Sequence, residues 1–167
     1  MNRKNQIRNE YAEFINSWHW EWFTTLTFPE HIDYSKNRVE KLLKQWIRKL
    51  CTQEGIQVAC YFVISYKNSH PHIHLLMLGY GKKQGRVKTL IDVKRGRWVD
   101  EWRDGPRRLR ADIQLPTENI RVSDYLAGHL NKYGTNADID YYNLELLNKM
   151  RQRGLNRKYV CASVMSA

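Results

Sequence analysis

Residues 57–66 and 70–78 are two runs rich in β-branched, aromatic and aliphatic side chains, and only Lys67-Asn68-Ser69 separates them. A connection that short predicts an antiparallel hairpin. The hairpin is the middle of a sheet, and other segments supply its neighbours. Residues 22–28 (WFTTLTF) read as a strand closed by Pro29, and residues 109–115 (LRADIQL) alternate as a strand ended by Pro116. A last strand is expected near 158–165. Helices are expected at 5–16, near 86–103, from Ser123 or Asp124 to Gly134, and near 139–152. A further helix at 35–52 is marked by Val39, Leu42, Leu43, Trp46, Ile47 and Leu50, which recur at spacings of three and four behind a Ser35 cap. The pattern predicts an α+β fold: a mostly antiparallel sheet covered by helices, in one domain over 1–167.

Charge narrows the function. The 167 residues carry 28 Lys+Arg against 17 Asp+Glu, a formal charge of +11, and this excess calls for a polyanionic partner, nucleic acid first. An anionic membrane falls behind, because no apolar stretch approaches the roughly 20 residues of a spanning helix and the first ten residues lack a secretory signal. Three scattered cysteines, Cys51, Cys60 and Cys161, form no CxxC pair and suit a reducing cytoplasm. Six Trp and ten Tyr offer flat faces on which unpaired bases can stack. For Trp18, Trp20 and Trp22, core packing and base stacking both remain open.

The chemistry concentrates on the second strand of the hairpin. Side chains alternate along a strand, so His70, His72 and His74 share one face while Ile73 and Leu75 take the other. Two imidazoles two residues apart on a rigid strand can hold one divalent cation. A bare His-x-His is a weak signal. The expected helix at 124–133 supplies its context: at 100° per residue Tyr125, His129 and Lys132 fall in one stripe, and Leu126, Leu130 and Tyr133 in a neighbouring apolar one. Tyr125 would stand in the first turn, where free amides and the positive dipole end favour a phosphate and a phenolate.

Taken in order, WFTTLTF, HPHIHLLM and YLAGHLNK resemble the three motifs of the HUH endonucleases, above all the replication initiators (Rep proteins) of rolling-circle phages and plasmids. The resemblance spans residues 22–132. It implies a central five-stranded antiparallel sheet flanked by helices, Mg²⁺ or Mn²⁺ as cofactor, and single-stranded DNA at an origin hairpin or nick site as substrate. It also implies cleavage by a tyrosine that stays joined to the 5′ phosphate and leaves a free 3′ hydroxyl. His72 and His74 match the metal pair, Tyr125 the nucleophile, and Lys132 the lysine that closes the tyrosine motif.

The chain departs from the family pattern in two places. His129 stands where paired-tyrosine initiators have a second tyrosine, so this chain resembles the single-tyrosine enzymes. Ser65 stands where many relatives carry a Glu ligand. In related transposases the third ligand lies four residues after the nucleophile, the position of His129; His70 is the rival. A second alignment would make Tyr133 the nucleophile. Alternatives are a transposase of the same superfamily and a non-catalytic single-stranded nucleic-acid-binding module; a metal-binding β-barrel would leave the tyrosine helix unexplained. No GxxxxGK loop occurs, so a helicase would be a separate chain.

Overall fold

The computed structural model describes residues 10, 13, 15–29, 34–67, 70–103, 109–116 and 137–152, with backbone alone at 67, 70, 137–141, 151 and 152. The expected hairpin is its centre. Strand β2 (Gln57–Lys67) and strand β3 (His70–Lys83) pair antiparallel from Gln57 opposite Tyr80 to Lys67 opposite His70. Strand β1 (Trp22–Thr27) flanks β3 on its other side, with Thr27 opposite His72 and Trp22 opposite Met77. Strands β5 (Arg110–Gln114) and β6 (Ala137–Tyr142) are the edges of a five-stranded antiparallel path, β5-β1-β3-β2-β6. With helices against it, the fold is α+β. Strand β3 is the central strand of the path, with β1 and β2 paired on either side of it.

One face of the sheet packs on helix α1 (Lys36–Glu54) and helix α2 (Arg95–Arg103). Val39, Leu43, Trp46, Ile47 and Leu50 are the buried stripe of α1, and they meet Leu26, Ile64, Ile73, Leu75 and Met77 from the strands. Each such Leu or Ile stabilises the fold by roughly 1.5–3 kcal/mol through the apolar area it removes from water. Ser35 occupies the N-cap of α1, but its side chain makes no capping bond; its carbonyl accepts from the amides of Arg38 and Val39, both at 3.0 Å. The helix ends at Gly55, whose φ of 66° lies in the left-handed region that glycine enters most readily, and whose amide returns to the Cys51 carbonyl at 3.0 Å.

Two expected helices are shorter than the sequence suggests. Residues 86–103 begin as strand β4 (Arg86–Lys88), pass through a 3-10 turn at Leu90–Asp92, and become helical only at Arg95. The reason is local: Gln84 and Gly85, at φ 51° and 78°, fold the chain straight back onto β3, and a Thr89/Asp92 capping box closes a separate short turn. Residues 139–152 likewise divide. Their first part lies in β6, the fifth strand of the sheet, and Asn143, at φ 57°, turns the chain into helix α3 (Leu144–Gln152). Its side-chain oxygen accepts from the Leu146 amide at 3.3 Å, as a cap does. The strand expected at 158–165 and the helix expected at 124–133 lie outside the described residues.

Trp18, Trp20, Leu76, Leu78, Tyr61 and the α3 side chains Leu146, Leu147 and Met150 form a second core on the opposite sheet face. Trp22, Trp46, Trp98 and Trp102 belong to the first core. All six Trp are buried, so of the two roles left open for Trp18, Trp20 and Trp22 the structure shows core packing.

Glu21 is a carboxylate buried where these layers meet. Its Oε2 accepts the amides of Gly79 at 3.0 Å and Leu90 at 2.8 Å, tying the start of the 3-10 turn to β3. Burial pushes the carboxyl up to about 7; the Leu90 and Gly79 amides pull the other way, and Asp92 adds to the rise. A carboxyl raised from 4.5 to about 7 on folding stabilises the protein while protonated, and that contribution is lost as pH rises through 7. Between pH 4 and pH 8 the native protein should therefore lose about 3 kcal/mol relative to Glu21→Gln, whose amide oxygen can accept the same bonds without charge. Urea unfolding of both proteins at the two pH values checks this. Parallel pH profiles would remove Glu21 as the cause.

Candidate functional site

The alternation of β3 sends Ile73, Leu75 and Met77 into the α1 core and puts His72 and His74 on the other face. Further along the same face, Leu76 and Leu78 are buried in the second core. The face is thus divided lengthwise, apolar toward Leu78 and polar toward His72. Register supplies the neighbours. His74 lies between Thr25 of β1 and Val63 of β2, and His72 between Thr27 and Ser65. The next strand out places Asp112 opposite Thr25 and Arg110 opposite Thr27.

His74 is 8% exposed and held in place. Its Nδ1 lies 3.2 Å from Thr25 Oγ1, and its ring stacks against Phe23 at 6.4 Å between centroids and 15° between planes. When Nδ1 donates to the hydroxyl, the lone pair sits on Nε2, the arrangement by which a neighbouring acceptor orients an imidazole for ligation. Ser65 is buried and lies opposite His72 on β2. Its hydroxyl adds a neutral polar group to this end of the face.

The structure brings His72 and His74 together on one face. Among the described residues no third His, Cys, Asp or Glu joins them in a group able to hold a metal. Tyr125, His129, Lys132 and Tyr133 lie outside the described residues, and of His70 only the backbone is described. Two imidazoles are nitrogen donors, whereas Mg²⁺ and Mn²⁺ favour oxygen, so either ion would be held here only with oxygen ligands from water or phosphate and a further protein ligand completing the set. Thr25, Thr27 and Asp112 were not singled out by sequence reasoning. The first two are the alternate positions of WFTTLTF, a visible signal, but only the register with β3 sets them beside the histidines. Asp112 accepts from Gln114 Nε2 at 2.5 Å and is exposed.

No protein-family model matches the chain, and no curated protein matches it. One solved structure is similar. It is the hypothetical protein ORF119 from Sulfolobus islandicus rod-shaped virus 1, at 16% identity over 77% of this chain and 94% of that one, with a TM-score of 0.42. The likeness is too slight to bear on function. No described helix is long and apolar enough to cross a membrane.

Proposed function

We propose that this chain is a metal-dependent endonuclease that nicks single-stranded DNA through a tyrosine nucleophile and so initiates rolling-circle replication. The observation that carries the reading is the polar end of the sheet face, where His74, hydrogen-bonded to Thr25, stands with His72 on the central strand. Chain connectivity adds to it. The segment bearing Tyr125, His129 and Lys132 joins β5 to β6, the two opposite edges of the sheet, and β6 begins at Ala137 opposite Ser65, in the row of His72.

In this reading His72, His74 and His129 hold Mg²⁺ or Mn²⁺, which supplies Lewis-acid polarisation of the scissile phosphate. Tyr125 Oη forms a bond to phosphorus as the bond from phosphorus to the 3′ oxygen breaks. The phenolic proton passes to a base or to solvent, and the departing 3′ oxygen takes up a proton to become a hydroxyl. Lys132 places positive charge beside the phosphate as charge builds on its oxygens. The product is a 5′ phosphotyrosine, whose energy is retained for rejoining the strand.

The deciding experiment incubates the protein with a pool of single-stranded oligonucleotides and Mn²⁺, then runs a denaturing gel. A covalent protein–DNA adduct that chelation prevents is the expected result. Binding without any adduct across the pool would leave a non-catalytic binding module in its place.

A further inference from the structure

Beyond the second core β3 runs on to Lys83, turns at Gln84-Gly85, and returns as β4, with Lys82 opposite Val87 and Lys83 opposite Arg86. The base of this two-stranded ribbon is pinned. A Cβ at Gly81 would stand 2.6 Å from the Gly55 carbonyl oxygen, so ribbon and helix end are in direct backbone contact. Lys88 Nζ donates to the Glu54 carbonyl at 2.8 Å and to its carboxylate at 2.9 Å. Burial would raise the Glu54 carboxyl, but the hydrogen bonds from Lys88 and Trp98 and the charges of Lys88 and Arg97 hold it below its ordinary range. Lys88 is therefore committed to the fold.

The tip is different. Residues 82–87 are all exposed, residues 81–88 contain four basic and no acidic side chains, and Lys82, Lys83 and Arg86 enter no ion pair among the described residues. Lys83 and Arg86 are direct cross-strand partners, and like charges so placed destabilise a ribbon. An anion lying between them would turn that repulsion into attraction. Lys82 is on the other face of the ribbon, so cations flank both faces. A polyanion with charge on two sides fits this better than a single phosphate or a flat lipid surface. The major groove of duplex DNA admits a two-stranded ribbon and lines it with phosphates on both walls.

We infer that the β3–β4 ribbon is a duplex-DNA contact, in which Lys82, Lys83 and Arg86 bind backbone phosphates at the end of β3 remote from the histidines. Nine residues of strand separate Lys83 from His74, about 30 Å at roughly 3.3 Å per residue. That is the length of about nine base pairs, nearly one turn of duplex. The protein would then hold a duplex flank while the polar end of the sheet acts on an unpaired strand. This reach rests on the endonuclease reading; the contact itself does not.

The test is fluorescence anisotropy of the full chain with a labelled 20-base-pair duplex, as roughly twice that footprint, over a range of KCl concentrations. Each phosphate contact contributes about 0.9 to the slope of log affinity against log salt, so the triple variant Lys82→Ala/Lys83→Ala/Arg86→Ala should lower the slope by between two and three. Arg86→Glu alone makes the cross-strand pair attractive. It should raise the melting temperature while lowering duplex affinity on the order of tenfold, a combination that misfolding cannot produce. An unchanged slope in the triple variant, or a stabilised Arg86→Glu protein with undiminished affinity, overturns the inference. So does loss of binding to phosphatidylserine vesicles with duplex binding intact, which would make the ribbon a lipid contact. Failure of the unaltered protein to form an adduct with single strands would remove the endonuclease and leave these outcomes as they stand.

Discussion

Tyr125→Phe should abolish the covalent protein–DNA adduct, a loss on the order of a thousandfold or more, because the substitution deletes the attacking oxygen and keeps the ring. Tyr133→Phe should leave most of the adduct. The contrast follows from the helix expected from the sequence at 124–133: with a cap at Ser123 or Asp124, Tyr125 would stand in the first turn, beside free amides and the positive dipole end, while Tyr133 would stand at the opposite end in line with Leu126 and Leu130. A phenol titrating near 10 needs such surroundings to react at neutral pH. A labelled oligonucleotide, Mn²⁺ and a denaturing gel read the result directly. If Tyr133→Phe alone is inactive, the nucleophile lies on the other stripe and the alignment through His129-Leu130-Asn131-Lys132-Tyr133 is the correct one. Loss of the adduct in both variants would point to a packing defect, which equal melting temperatures would exclude.

The sheet was legible because its central pair is nearly local. A linker of three residues leaves β2 and β3 no other pairing, and the alternation of apolar residues with His72 and His74 states which side of β3 faces the helices. The two misread segments show where such reasoning fails. Residues 86–103 are polar and basic, so propensity favours helix, but a two-residue turn with positive φ and a capping box at Thr89 override it within a few positions. Near 139–152 the strand part, ADIDYY, is short and sits at a sheet edge, and its identity depends on a partner, β2, some eighty residues earlier. Tertiary pairing decides such cases. The site was legible as residue types rather than as neighbours: His72 and His74 stand out in sequence, whereas Thr25 gains meaning only from facing His74 across the β1–β3 register. Glu21 was invisible for a related reason. A lone acid among tryptophans reads as surface, and only the structure supplies the two amides that hold it inside.

Removal of either histidine should raise the Mn²⁺ concentration needed for half-maximal cleavage by about a hundredfold, because each is proposed to supply one of three protein ligands and the loss of one leaves weak binding. Thr25 extends this into a sharper test. Its hydroxyl is hydrogen-bonded to His74 Nδ1, so Thr25→Val, which keeps the shape and removes the oxygen, should cost roughly tenfold in Mn²⁺ affinity by freeing the imidazole to turn. If the effect runs through His74 it must vanish once His74 is gone. In a His74→Ala background Thr25→Val should add almost nothing, and a full additional tenfold there would show that Thr25 acts independently of the imidazole. The third ligand is addressed by the same titration. His129→Ala should weaken Mn²⁺ dependence in parallel with cleavage and be rescued by excess Mn²⁺, whereas His70→Ala, at the entry to β3, should change little. A His129→Ala protein with unaltered Mn²⁺ affinity and slower cleavage would instead assign that imidazole to proton transfer at Tyr125, a role open to histidine as a residue type.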